Sequence, residues 1–271
     1  MTATLVDAHV HLQPCFDVER FLDAAAANLR HARQRAGLTH AVIGCLLLAD
    51  DAPCTQYARL RSASGLTRWR IEQADEPTSL RAKGDGEPGA SLLIVAARHV
   101  VTAERLEVLA VNTRAELADG QAFDATLRQV IDKAGQAIVP WGMGKWLGSR
   151  GRRVARAIDG ASDGRLLLGD NAARPRGLPP PTLFRHARRR GIAIVPGSDP
   201  LPLPEEVHSV GSYGFILPGQ LQPEAPGRDL ARRLQRLTPQ PRTFGQRKSL
   251  LATTRCQLRL RIARRAGPTH P

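Results

Sequence analysis

The spacing of apolar and polar side chains changes period several times along this chain, and the changes mark its elements. Thr4 to Leu12 has the period of two of a β-strand, with Leu5, Val6 and Val10 as strand formers and His9 and His11 on one face where the strand ends. From Phe16 to Ala36 the period becomes helical, placing Phe16, Phe21, Leu22, Ala25, Ala26 and Leu29 on a stripe, and Gly37 stops the helix. Ala41 to Leu48 is an unbroken apolar run, the composition of a strand buried on both faces, and it delivers Asp50 and Asp51 at its end. A short helix is predicted at Thr55 to Ser64.

Between Trp69 and Val111 four strands are predicted, Trp69 to Gln73, Ser79 to Lys83, Leu92 to Val101 and Arg105 to Val111, read as strands with a hairpin excursion. Helix and strand then alternate. Ala122 to Ala134 is helical and ends at Gly135, Ala137 to Pro140 is a strand, and Val154 to Ile158 is a helix. Arg165 to Leu168 is a strand, Thr182 to Arg190 a helix and Ile192 to Val195 a strand. Alternation of this kind predicts parallel strands joined by right-handed crossovers, and seven or eight strands suffice for a closed or nearly closed β/α barrel of the TIM type. A last helix, Asp229 to Leu237, is predicted to cap the fold, with residues from Thr238 onward partly disordered.

Charge divides the chain at residue 225. Of a net +14, the segment Pro226 to Pro271 carries 12 Lys and Arg and one acid, Asp229, a balance of +11. The organisation expected is therefore a barrel over residues 1–225 followed by a basic, Pro- and Arg-rich tail over 226–271. Such a tail suits nucleic acid or an anionic membrane surface, or is a solvated appendage, and no aromatic-interleaved recognition motif accompanies it. Cys15, Cys45, Cys54 and Cys256 have no CxxC spacing, no signal peptide precedes them, and no apolar run approaches the roughly 18 residues of a spanning helix. Together these predict a cytoplasmic protein.

In a β/α barrel the chemistry sits at the carboxyl ends of strands, so the polar residues at those ends are the candidates. His9 and His11 come first, because two neutral imidazoles at i and i+2 can grip one metal ion. Asp7, two residues before the pair, can ligate directly or orient an imidazole. Asp199 ranks next: Ile192 to Ser198 is a buried strand that turns through Gly197 and brings a carboxylate to the barrel mouth. His9, His11 and Asp199 would form an open set of two imidazoles and one carboxylate around a divalent ion, Zn, Mn or Fe. His99, Glu72 and Glu107 are candidates for a second metal position or a general base, with a structural strand role as the alternative for each. Asp170 is a candidate ligand or proton carrier, or else a turn cap. Lys145, Arg150, Arg152 and Arg153 lie in or just after the glycine-rich stretch Trp141 to Gly151, where backbone donors and positive charge suit a phosphate.

Three stretches carry a resemblance. Val6-Asp7-Ala8-His9-Val10-His11, Lys133 to Trp141, and Arg189 to Asp199 together are similar to the polymerase and histidinol phosphatase (PHP) family, over about residues 4 to 205. The resemblance implies a distorted seven-stranded barrel, a cluster of two or three metals and hydrolysis of phosphate esters. It also defines departures. Asp50-Asp51 stands where the family has an acid-histidine pair, His99 falls near its glutamate, Glu107 near its following histidine, Trp141 in place of a strand-end histidine, and Asp199-Pro200-Leu201 in place of Asp-x-His. Imidazoles are lost while carboxylates stay, which leaves either a site rebuilt around fewer metals or a decayed one.

The expected activity is a metal-dependent phosphoesterase in which Lys145 or Arg152 neutralises a small anionic, phosphorylated substrate. An amidohydrolase also opens on His-x-His and closes on a strand-end Asp, but needs further histidines after two middle strands. A third reading is an idle barrel that binds a partner through its tail.

Overall fold

The structure is a computed structural model and describes residues 2–38, 42–53, 55–85, 91–237 and 240–265. In chain order the elements are β1 (Ala3–Val10), α1 (Val18–Arg35), β2 (Val42–Asp50), α2 (Thr55–Arg61), β3 (Trp69–Gln73), β4 (Ser79–Gly84), β5 (Ser91–Val101), β6 (Glu107–Val111), α3 (Phe123–Ala134), β7 (Ala137–Pro140), α4 (Gly148–Gly160), β8 (Leu166–Asn171), α5 (Thr182–Arg189) and β9 (Ile194–Gly197). A 3-10 helix (Pro204–Ser209) follows, then β10 (Tyr213–Pro218), α6 (Pro226–Gln235), β11 (Thr243–Gly245) and α7 (Leu250–Arg265).

Nine strands form one continuous sheet in the order β11-β10-β1-β2-β5-β6-β7-β8-β9, and β3 and β4 form a hairpin attached through β4 to β5. The sheet curls until β9 lies against β1, where Asp199 N–H donates to the His9 carbonyl at 2.8 Å. The result is a mixed α/β fold with a nearly closed, barrel-like sheet. Six strands, β1, β2, β5, β7, β8 and β9, run the same way and collect their carboxyl ends at one mouth. β6 breaks the expected parallel series. It pairs antiparallel with both β5 and β7, because Thr102 to Leu106 forms a tight reversal closed by Thr102 N–H to the Leu106 carbonyl at 2.8 Å. A parallel crossover needs a dozen or more residues, and only a short turn is available there. Glu107, at the start of β6, therefore reaches the same mouth as the ends of its neighbours.

Alternation along the strands sorts side chains into two environments. Val6, Ala8, Cys45, Leu47, Ala49, Leu93, Val95, Ala97, Leu109, Val111, Ile138, Leu167 and Val195 fill the inside. Their neighbours point outward. Leu46, Leu48, Leu92 and Ile94 meet α1 through Phe21, Leu22 and Leu29, while Val139, Leu166, Leu168 and Ile194 meet α3, α4 and α5.

The chain beyond the expected boundary at 225 belongs to this packing. Leu230 and Leu234 of α6 join the inner core together with Phe215 and Leu217 of β10, and β11 pairs with β10. Residues 250–265, expected in part as disordered tail, form α7, which is tied to the body by the ion pair of Arg259 with Glu205 and, just before the helix, that of Lys248 with Glu206. Ala41, where the strand over Ala41 to Leu48 is predicted to begin, lies outside the described residues. None of the described helices is long and apolar enough to cross a membrane.

Candidate metal centre

The inward face of the barrel supplies the site. Continuing the inner parity of each strand past its last apolar residue gives Asp51 after Ala49, His99 after Ala97, Glu107 before Leu109, Asn171 two residues beyond Gly169, and Asp199 beyond Gly197. On β1 the parity changes, because a register irregularity between Asp7 and Val10 inserts an extra residue in the pairing with β2. Val6 and Ala8 face in, and beyond the irregularity His9 and His11 gather at the mouth while Val10 packs outward with Leu12.

His9, His11 and Asp199 converge. The two Nε2 atoms are 3.0 Å apart and each lies 3.8 Å from Asp199 Oδ1. Two ligand atoms about 2.0–2.2 Å from one ion can be at most about 4.4 Å apart, so all three separations fit a shared ion. The three side chains form a group able to hold a metal. A pair of imidazole nitrogens at 3.0 Å also requires a proton or a cation between them, since two lone pairs repel. An Nε2–H on either neutral ring supplies the proton as an ordinary hydrogen bond, and an ion would replace it; burial pushes His9 down to about 4 and lowers His11 as well, with the neighbouring imidazoles adding to the effect against the pull of Asp199. His9 is thus neutral at neutral pH, the form in which an imidazole can ligate a metal. Burial would raise Asp199, but the neighbouring His9, His11, His99 and Lys145 outweigh it and hold the carboxyl below its usual range.

Asp199 is held in place from behind. Its backbone takes a left-handed conformation, φ 45°, fixed by its N–H on the His9 carbonyl, and its Oδ2 accepts from Asn171 Nδ2 at 3.0 Å. Asn171 also donates to the Trp141 carbonyl at 2.8 Å, so strands β7 and β8 together aim Oδ1 at the histidines. Asp7 plays no part as a ligand. Its carboxylate accepts from the backbone N–H groups of His9, Ser198 and Gly211 at 3.3, 2.8 and 3.0 Å, clamping β1, the end of β9 and the loop before β10. Burial pushes that carboxyl up to about 7 in spite of these bonds.

Beside the triad lies a second group. His99 Nδ1 is 2.5 Å from Asp51 Oδ1, His99 Nε2 is 3.8 Å from Glu107 Oε1, and Lys145 Nζ is ion-paired to the same Glu107 oxygen. The rings of His9, His11 and His99 have centroids 4.9 to 5.8 Å apart. Burial alone would lower His99, but the hydrogen bond to Asp51 and the charges of Glu107, Asp51 and Asp199 raise it. Asp51 is pulled down to about 2, since His99, His11 and His9 outweigh its partial burial. Gln56 Nε2 donates to Asp51 Oδ2 at 3.3 Å and Gln56 Oε1 accepts from Leu12 N–H at 2.8 Å, joining this carboxylate to the end of β1.

Other candidates lie elsewhere. Glu72 is on the β3–β4 hairpin and pairs with Lys83 at 2.9 Å, a surface contact. Asp170 has the outward parity of β8. Arg174 grips it with two bonds of 2.6 and 2.7 Å, and Tyr213 and the Asn171 N–H each donate at 3.0 Å, so its four lone pairs are taken and none is free for a metal. Arg152 is exposed on α4 and makes no hydrogen bond or ion pair with the mouth, while Arg153 turns to Glu104 and Asp124. Trp146 packs edge-on against Phe184, with ring centroids 5.4 Å apart. Asp51 and Asn171 take part where sequence reasoning had not assigned them a role. Inner parity is the signal that separates each from the neighbouring Asp50 and Asp170.

The sequence matches no protein-family model and no curated protein. The crystal structure of PsfC from Pseudomonas syringae PB-5123 is similar to this chain, with a TM-score of 0.54 at 15% sequence identity over 98% of this chain and 99% of that one. At that identity the likeness is one of fold.

Proposed function

We propose that this chain is a metal-dependent phosphoesterase built on a distorted TIM-like barrel of the PHP type. The observation that carries the reading is the convergence of His9, His11 and Asp199 from the two strands that close the barrel, on atoms spaced to share one divalent ion, Zn, Mn or Fe. The ion, when bound, supplies Lewis acidity and a water acidified to a pKa of about 7. The hydrogen bond to Asp51 fixes the His99 ring and, with the neighbouring carboxylates, raises its hold on a proton, and its Nε2 is buried without a partner among the described residues. That nitrogen is placed to protonate a leaving-group oxygen. Lys145 contributes the positive charge against an anionic substrate, and Arg152 leaves the proposal.

The test is metal analysis of the purified protein together with a panel of generic phosphomonoesters and diesters. About one ion per chain is expected, with hydrolysis that disappears in His11→Ala. Hydrolysis that survives His11→Ala would sink the mechanism. Amide hydrolysis is a second reading that His99 favours, because it brings one middle-strand imidazole to the mouth. β7 is followed by Trp141 and β8 ends in Asn171, so neither supplies a second one, and amides are expected to be poor substrates.

A further inference from the structure

His99 and Glu107 present the beginnings of a second cation site next to the triad. His99 Nε2 and Glu107 Oε1 are 3.8 Å apart, within the span two ligands of one ion can bridge, and His99 Nε2 is buried with no hydrogen-bond partner among the described residues. The His99 ring lies 5.3 Å from that of His11, so an ion held there would neighbour the first. The position already has a positive charge on it. Lys145 sets its ammonium on the same Glu107 oxygen, with about a third of its side chain exposed (32%) and Glu107 mostly covered (18%).

The turn that delivers Lys145 is built for this placement. Lys145 N–H donates to the Gly142 carbonyl at 3.0 Å, which folds the segment back on itself. A Cβ added at Gly142 would overlap Cγ and Cδ of Lys145, so the bare backbone at 142 is what lets the aliphatic stem lie across the turn and reach the mouth. Gly142 is outside the left-handed region occupied by Gly144 and Gly148, and space rather than backbone conformation is the reason for glycine there.

We propose that the Lys145 ammonium is a built-in cation that takes the place of a second divalent ion between His99 and Glu107, restricting this centre to one metal. The inference rests on the proposed metal reading of His9, His11 and Asp199. A substrate phosphate at this mouth meets one ion and one fixed ammonium, and Glu107 serves as the lysine's anchor instead of a ligand. Removal of the ammonium leaves the Glu107 carboxylate uncompensated 3.8 Å from His99 Nε2 and open to an incoming cation.

Equilibrium dialysis against Zn2+ at neutral pH, with metal counted by mass spectrometry and folding followed by circular dichroism, tests this. The full chain is expected to hold one Zn2+, Lys145→Met two, and Lys145→Met combined with His99→Ala one again. Gly142→Ala keeps the lysine but displaces it, and is expected to raise the count to two. It guards against the case in which Lys145→Met fails to fold. Two ions on the unaltered chain, or one ion on folded Lys145→Met or Gly142→Ala, would overturn the inference while leaving the triad intact. No bound Zn2+ on the unaltered chain would overturn the metal reading itself and this inference with it.

Discussion

At the mouth, neighbouring residues with the same chemistry have opposite fates. Asp50 faces outward and caps α2, accepting from the Gln56 and Tyr57 N–H groups at 3.1 and 3.0 Å, while Asp51 faces in and holds His99. Asp170 faces outward to Arg174, and Asn171 faces in to Asp199. Different losses follow. Asn171→Ala is expected to weaken metal binding 10- to 100-fold, read by chelator competition, with a stability loss of only about 1 kcal/mol. Asp170→Asn is expected to leave the metal count unchanged but to cost about 3 kcal/mol in urea unfolding, because the buried Arg174 loses its counter-charge. His9 adds a pH dependence to the metal-free protein. Its ordinary pKa near 6.5 is held at about 4 when folded, so the unfolded chain takes up a proton first as pH falls. The stability His9 contributes is whole above pH 6.5 and is lost progressively toward pH 4. Compared with His9→Gln by urea unfolding, the native chain is expected to lose about 2 kcal/mol between pH 7 and pH 4.5. A difference that does not move with pH would show that the ring is not held neutral.

At the scale of elements, connection length decides direction. Trp69 to Gly84 folds as the expected hairpin excursion, and the Thr102 to Leu106 reversal turns β6 against the sheet. A five-residue gap is legible in the sequence as too short for a crossover, yet the strand-helix rhythm on either side favours reading parallel strands throughout. The hairpin is fastened to α6 by Glu76, a buried carboxylate that accepts from Ser79 Oγ at 2.6 Å and from the Gly227 and Arg228 N–H groups at 2.5 and 3.2 Å. It serves as an N-terminal anchor for α6, 150 residues away along the chain. Glu76→Ala is expected to cost about 3 kcal/mol in chemical unfolding, since three donors lose a charged partner in a buried place. Glu72→Ala, which breaks only the exposed pair with Lys83, is expected to cost about 0.5 kcal/mol and to leave metal content unchanged.

At the scale of the whole molecule, closure of the barrel and assembly of the site are one event. β9 meets β1 where Gly197 lies against the backbone of His9, and a Cβ at 197 would overlap that backbone. Gly197→Ala is therefore expected to part the two strands, to break the Asp199 to His9 bond, to lose measurable metal binding and to lower stability by about 2 kcal/mol, checked by dialysis and thermal unfolding together. The charge boundary at 225 marks composition and not architecture. Leu230 and Leu234 are core residues on a basic helix, whose Arg232 and Arg233 both reach the buried Asp229.

His9, His11 and Asp199 were legible as candidates because strand-end positions carry the polar residues of such a fold, and the inner parity of β2, β5 and β8 singles out Asp51, His99 and Asn171 from the residues beside them. Local patterning determines these facts, since a strand's two faces are set by its own backbone. The irregularity that turns both histidines of β1 to the mouth depends on pairing with β2, which no local pattern contains. Tertiary structure alone also decided that Glu72 stays outside, that Asp170 is consumed by Arg174, that Lys145 is returned to Glu107, and that Leu230 and Leu234 join the inner core. Each of these is settled by which partner lies across space, and burial makes that partner compulsory: a charge removed from water must find its counterpart.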